Sequence, residues 1–285
     1  VADMKQQQNA GCQRKKRFRL VAALLFTESR IWCLVANVAH IREGGMNQRS
    51  LVAVVSVILF SAGSAVAETH YVSTMSPIEI PPFTDVSQAS HTIQPAINVA
   101  HNGDTVMVMV STYNLTDQLV VTNGIVLRSS IDRDVILDGQ DNDYRVLYIS
   151  HTGAVVSGFT IKNGNNKVGD SGGGVFISTG KLVNCWVVSN STGQEAGGVL
   201  IKGEGEVANC QIDNNRGDMF GGGVCCRDGG LVTNCVIFNN GVHGGWGGGV
   251  ACLNAGAVVY SSISNNWGHT QGGGVYADHD GFVDR

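Results

Sequence analysis

Between residues 153 and 285 apolar positions alternate over short runs, and each run is broken by Gly or Asn. By this alternation Val207, Cys210 and Ile212 fall on one side of the chain, as do Val224 and Cys226 in the next run. The runs are too short and too rich in β-branched residues for helices, so the pattern predicts strands. It also repeats. Gly-Gly-Val recurs with its Val at 175, 199, 224, 250 and 275, at spacings of 24, 25, 26 and 25. Asn-Cys recurs at 184–185, 209–210 and 234–235, a closing Asn at 190, 215, 240 and 266, and a further Gly at 180, 205, 230, 256 and 281. Four markers sharing one period predict a solenoid. Each unit lacks an amphipathic helix, which excludes leucine-rich, ankyrin and tetratricopeptide arrays, and a propeller blade needs about 40 residues. A coil of short strands remains, the parallel β-helix.

In such a coil equivalent residues stack at the strand spacing of a sheet, roughly 4.8 Å. Three inward ladders are expected: Phe159, Cys185, Cys210, Cys235 and Ser261; Ile161, Val187, Ile212, Ile237 and Ile263; and Ile177, Ile201, Cys226, Cys252 and Ala277. The closing Asn residues are expected at corners, where they satisfy backbone groups and tolerate a left-handed conformation. Upstream, Thr92–Ala100 spaces its apolar residues as a short helix does, and it is expected to cover the open end of the first coil. Thr105–Val110, Gly124–Arg128, Val135–Gly139 and Val146–Ile149 read as strands of earlier, less regular coils. Gly281-Phe282-Val283 begins another coil, so the sequence reads as truncated or as one piece of a longer solenoid.

Thr92–Asn114 (TIQPAINVAHNGDTVMVMVSTYN), Ile136-Leu137-Asp138-Gly139 and Ser157-Gly158-Phe159-Thr160-Ile161 resemble the right-handed parallel β-helix, or pectin-lyase-like, superfamily. The paired Gly-Gly-Val and Ile/Val-x-x-Asn motifs are similar to the repeats of bacterial polymorphic outer-membrane proteins. Those pair GGA-[ILV] with FxxN; here Phe is replaced by Ile or Val, and Ala by Gly. The resemblance covers about residues 88–285 and implies an all-β, right-handed parallel β-helix solenoid with a short N-terminal capping helix. It also implies a range of roles, from polysaccharide lyases and hydrolases to adhesins and surface proteins.

Composition sharpens the picture at two points. Of 38 Gly, 31 lie in residues 153–285, which places the architecture in the C-terminal half. Charge splits along the chain: residues 1–67 carry nine Lys/Arg against three Asp/Glu, and residues 68–285 carry ten against twenty. An acidic body has no electrostatic footprint for nucleic acid. Met46-Asn47-Gln48-Arg49, the apolar run Leu51–Phe60 and Ala65-Val66-Ala67 form the basic, apolar and small-residue regions of a secretory signal. The run is far shorter than the roughly 20 residues that span a bilayer. The expected organisation is an over-extended or unstructured segment at 1–45, a signal peptide at 46–67, a linker at 68–87 and the β-helix at 88–285. Export to the medium or to the outer-membrane surface follows.

Six Cys lie in the repeats, at 185, 210, 225, 226, 235 and 252, with no Cys-x-x-Cys. Stacked coils would bring Cys185, Cys210 and Cys235 within disulfide range, but three members cannot pair fully, and core packing is the favoured reading. On that reading Cys210→Ser costs about 1–3 kcal/mol for a poorly satisfied hydroxyl.

Any chemistry must lie outside the packed interior. Aligned on the Gly-Gly pairs, the loops place Asp170, Glu195, Asp218, His243 and His269 near one edge, with Phe220, Trp246 and Trp267 among them. Aromatic rings stack on sugars and carboxylates hold Ca²⁺ through oxygen. The edge is thus the candidate ligand face for a polysaccharide or a cell-surface component. The plainer reading is that the loop residues are solvated and the aromatics cover Gly-rich backbone. Asp138, Asp141, Asp143 and Arg145 look like a calcium loop, but Ile149 stands where an EF-hand has Glu, so a turn dressed with Asp is the favoured reading. The paired-Asp, Gly-His-Gly and Arg-Ile-Lys signatures of polygalacturonase-like hydrolases are absent, and no catalytic signature stands out. An exported scaffold or adhesin is therefore the first functional reading, and a lyase or hydrolase of the same fold the second.

Overall fold

A computed structural model of the chain describes residues 66–167, 171–278 and 280–284. The 1–45 segment and nearly all of the signal-like 46–67 segment lie outside the described residues.

All paired strands run parallel and are joined coil upon coil into three sheets. The largest holds fourteen strands in two rows, bridged by the long strands Leu147–Ser157 and Val175–Val183. Beyond Val175–Val183 the rows continue separately, as Val199–Lys202, Val224–Arg227, Val250–Leu253 and Val275–Ala277, and as Gly205–Ala208, Leu231–Thr233, Ala257–Val259 and Phe282–Val283. The second sheet has seven strands, from Thr112–Asn114 to Ser262–Ser264, and the third has five, from Asn165–Asn166 to Trp267–Gly268. This is the parallel β-helix, with about seven turns counted along the second sheet.

Register confirms the ladders. Ile161, Val187, Ile212 and Ile237 align in successive strands and are fully buried. Cys226 and Cys252 align in the same way. All six cysteines are buried and unpaired. The Gly-Gly step has a steric cause. A methyl group on Gly222 would lie 2.2 Å from Gly241 O and 2.5 Å from Gly248 O, which are backbone atoms that cannot move aside.

The corners divide their labour more finely than the sequence predicts. The left-handed residue is the one before each ladder member: Asn184, Asn209 and Asn234 before the Cys row, and Ser189, Asn214, Asn239 and Asn265 before the Asn row, all with φ between 50° and 56°. The ladder Asn side chains make the hydrogen bonds instead. Asn215 Oδ1 accepts from Asn190 N and Nδ2, both at 3.0 Å, while Asn215 Nδ2 donates to Val187 O and to Asn240 Oδ1. The Cys row works likewise: Cys185 N donates to Cys210 Sγ and Cys210 N to Cys235 Sγ, each at 3.4 Å, and Cys235 N to Ser261 Oγ at 3.1 Å. Ser261 thus occupies the row with its hydroxyl satisfied, so the expected penalty for serine at Cys210 needs correction.

The helix Ile93–Val99 buries Ile93, Ala96 and Ile97 in the main core and packs against the strands Thr69–Val72, Thr105–Val108 and Leu119–Val121. Gln94 meets the free edge of the last of these as a peptide group would: Val120 N donates to Gln94 Oε1 at 2.8 Å, and Gln94 Nε2 donates to Val120 O at 3.1 Å. No described helix is long and apolar enough to cross a membrane.

Candidate functional site

The loops that precede the Gly-Gly pairs stack in register, with Phe220 bridged to Trp246 and Trp246 to Gln271. Their side chains do not form one stripe; they divide between two faces. Toward the large sheet, Phe220 and Trp246 turn inward. Their rings meet edge-on at 5.3 Å, and Tyr276 lies 4.9 Å from Trp246. Under this lid Ala196, Leu200, Cys225, Ala251 and Leu253 form a second, small hydrophobic core. Leu200, Cys225 and Ala251 stand in one outward-facing row of the large sheet, where alternation alone would leave them in water. Phe220 and Tyr276 pack against that row, and the Trp246 ring rests on both of them.

On the same side Glu195 meets Arg227, whose guanidinium donates to Glu195 Oε1. A small pocket of about 220 Å³ surrounds the pair, lined also by Ser171, Phe176, Leu200 and Lys202. Burial raises the Glu195 carboxyl above its ordinary range, outweighing the pull of Arg227 and Lys202. Arg227 Nε is buried without a partner. Sequence alignment of the loops finds Glu195 but not Arg227, which comes from a strand 32 residues further on.

The other face belongs to the third sheet. Ser191, Arg216, Gly241 and Trp267 align in successive strands. Because Gly241 has no side chain, the Trp267 indole lies flat across it: a Cβ there would be 2.0 Å from Trp267 Cε2. The ring thereby reaches Arg216, whose Cζ is 5.9 Å from its centroid, and His243 meets it edge-on at 6.0 Å. Trp267 remains 46% exposed. Asp218 and His269 are exposed on the same run of loops, held by backbone bonds such as Gly244 N to Asp218 O at 3.1 Å. Asp170 lies outside the described residues. Of the expected residues, then, His243 and Trp267 come together, Glu195 is drawn away to Arg227, and Arg216 joins a site for which the loop alignment did not single it out.

Among the described residues no three His, Cys, Asp or Glu side chains are gathered to hold a metal ion. Asp138 is buried and accepts from Gln140 N at 2.9 Å and Asn163 Nδ2 at 2.9 Å, with Lys162 Nζ at 3.1 Å. Gln140 and Asp141 turn the chain with φ of 56° and 55°.

No protein-family model matches the chain, and no curated protein matches it. Solved structures similar to it include pectate lyase Pel9A, with a TM-score of 0.44 and 11% identity over 73% of this chain. The chain spans 61% of the length of that enzyme. The rice weevil pectin methyl esterase gives a TM-score of 0.36 at 10% identity, over 84% of this chain and 94% of that one. The fold assignment rests on the strand pairing itself.

Proposed function

We propose that the chain is an exported, bacterial-type β-helix scaffold of the cell surface or the extracellular space, adhesin-like, and that the outer face of its third sheet and adjoining loops binds a glycan. One observation carries the reading: Trp267 is large, exposed and held flat across Gly241 between Arg216 and His243. A rigid aromatic plane flanked by hydrogen-bond donors is what a sugar ring recognises. The acidic body repels acidic polymers unless cations such as Ca²⁺ intervene, so neutral glycans are the expected partners. The signal-like segment before Glu68 supports export, and the Gly-Gly-Val repeats support a surface role.

The test is glycan-array binding of the full chain against Trp267→Ala. An exposed aromatic anchor contributes about 2 kcal/mol, so binding should fall roughly thirtyfold. Equal binding by both proteins would move the site elsewhere. Trp246→Ala is not a substitute, because the Trp246 ring supports Phe220 and Tyr276, which pack over the small core of Leu200 and Cys225.

The Glu195–Arg227–Lys202 pocket favours a second reading, a polysaccharide lyase or hydrolase. A carboxyl raised by burial beside a guanidinium has the ingredients for proton transfer. Product release from polygalacturonate or from neutral glycans, abolished by Glu195→Gln, would favour this reading over the scaffold.

A further inference from the structure

At the opposite end of the described solenoid a groove of about 670 Å³ runs between the helix Ile93–Val99 and the segment Asn114–Asn123. Its size is that of a small-molecule site. Its chemistry is unlike that of the loop edge. Asp117 is the one lining residue with a charged side chain, and its Oδ1 already accepts from Gln118 N at 2.7 Å. Lys, Arg and His are absent from the lining. The remaining polar lining consists of carboxamides and hydroxyls, over an apolar floor that includes Ile93, Ile97 and Leu119.

Two features narrow the ligand. The backbone of Val120 faces the groove, but both its N–H and its C=O are taken by Gln94, so an incoming peptide strand finds no ladder to extend there. Asn98 Oδ1 is likewise taken by Gln94 Nε2, at 2.9 Å, which leaves the Asn98 Nδ2 group as its hydrogen-bonding end for a ligand in the groove that it lines. The Gln118 carboxamide and the Thr122 hydroxyl line the same groove without a protein partner. Neutral donors and acceptors above an aliphatic floor match a molecule with hydroxyls on its rim and C–H groups on its face.

We infer that this groove is a second binding site, for a neutral polyhydroxylated ligand of the mono- or disaccharide class, separate from the Trp267 face. Acidic sugars are disfavoured, since the lining holds a carboxylate and nothing to neutralise another. The inference does not depend on the glycan reading of Trp267.

Saturation-transfer NMR and calorimetry of the full chain with maltose and cellobiose test it, with digalacturonate as the acidic counterpart. The neutral disaccharides should bind and digalacturonate should not. Losing two hydrogen-bonding side chains in Asn98→Ala/Gln118→Ala should weaken binding about tenfold or more, and Trp267→Ala should leave it unchanged. Neither Asn98 nor Gln118 is buried, and circular dichroism of the double variant checks its fold. Equal binding by parent and double variant, equal binding of digalacturonate, or no binding of either neutral sugar would overturn the inference. Loss of binding in Trp267→Ala would assign the signal to the loop edge.

Discussion

The coils before Gly158 and those after it meet the same corner problem with different chemistry. In the later coils two corners carry a row of neutral residues, Asn at one and Cys, then Ser261, at the other, each accepting a backbone N–H from the preceding coil. In the earlier coils the corresponding ties are single and mixed. His70 and Asp104 face each other at 3.2 Å in the core, Tyr113 Oη donates to Met109 O, and Lys162 pairs with Asp138. The difference has an electrostatic origin. An Asn both donates and accepts, so it can stack on a copy of itself without end. A carboxylate stacked on its own copy at roughly 4.8 Å would meet a like charge, so a charged tie can be used only once. The regular coils can therefore be extended, and the early coils anchor them.

The largest effect expected within this comparison is steric. Gly222→Ala forces a methyl group against the backbone of the next coil at two points and should cost on the order of 3 kcal/mol or more. Gly244 lies in the loop before the Gly248-Gly249 pair, and the nearest atom to a Cβ there is Asp218 O at 3.6 Å, an ordinary contact, so Gly244→Ala should be close to neutral. Urea midpoints of the two variants measure the contrast. Equal losses would mean that the Gly pair is kept for chain flexibility and not for close stacking.

How much of this the sequence carried follows from the same contrast. Gly-Gly-Val, Asn-Cys and the closing Asn were legible because each is one physical requirement met again in every coil. The apolar ladders were legible because alternation in a short strand fixes which side chains share a face. The lid was not legible. Leu200 and Cys225 break the alternation only because a loop folds back over them, and the residue that covers each row lies in a neighbouring coil. Arg227 was missed because its tie to Glu195 is specified by stacking, not by spacing along the chain. The Gln94 clasp on Val120 was missed because a lone Gln in a short helix gives no pattern to count.

A smaller and pH-dependent effect is expected in the early coils. Burial pushes the Asp104 carboxyl up, but the backbone N–H groups of Glu68 and His101 and the His70 ring together hold it below its ordinary range. A carboxyl with a lowered folded value stabilises the fold above its unfolded value, about 3.9, and that stability is lost as pH falls through the folded value. Asp104→Asn should therefore cost about 1–2 kcal/mol near neutrality, and the stabilities of parent and variant should converge below about pH 4. Chemical unfolding at several pH values reads this directly. A gap that stays constant down to pH 2 would show that the carboxylate charge contributes nothing.

The smallest effect is expected at Cys210. Its Sγ accepts from Cys185 N at 3.4 Å and donates to Ala208 O at 3.3 Å. Ser261, two row positions further along, makes the same pair of contacts with oxygen: it accepts from Cys235 N at 3.1 Å and donates to Val259 O at 2.9 Å. A serine at Cys210 inherits a site already shaped for a hydroxyl, and Cys210→Ser should cost less than about 1 kcal/mol, below the 1–3 kcal/mol expected for an unsatisfied group. Cys210→Ala keeps the small volume but removes the acceptor, leaving the buried Cys185 N–H without a partner, and should cost about 1–3 kcal/mol. The ordering is the test, because hydrophobic packing alone predicts the reverse, with alanine the milder change. Thermal unfolding in which serine falls as far as alanine, or further, would assign the Cys row to packing and leave the Asn row as the hydrogen-bonded spine of the later coils.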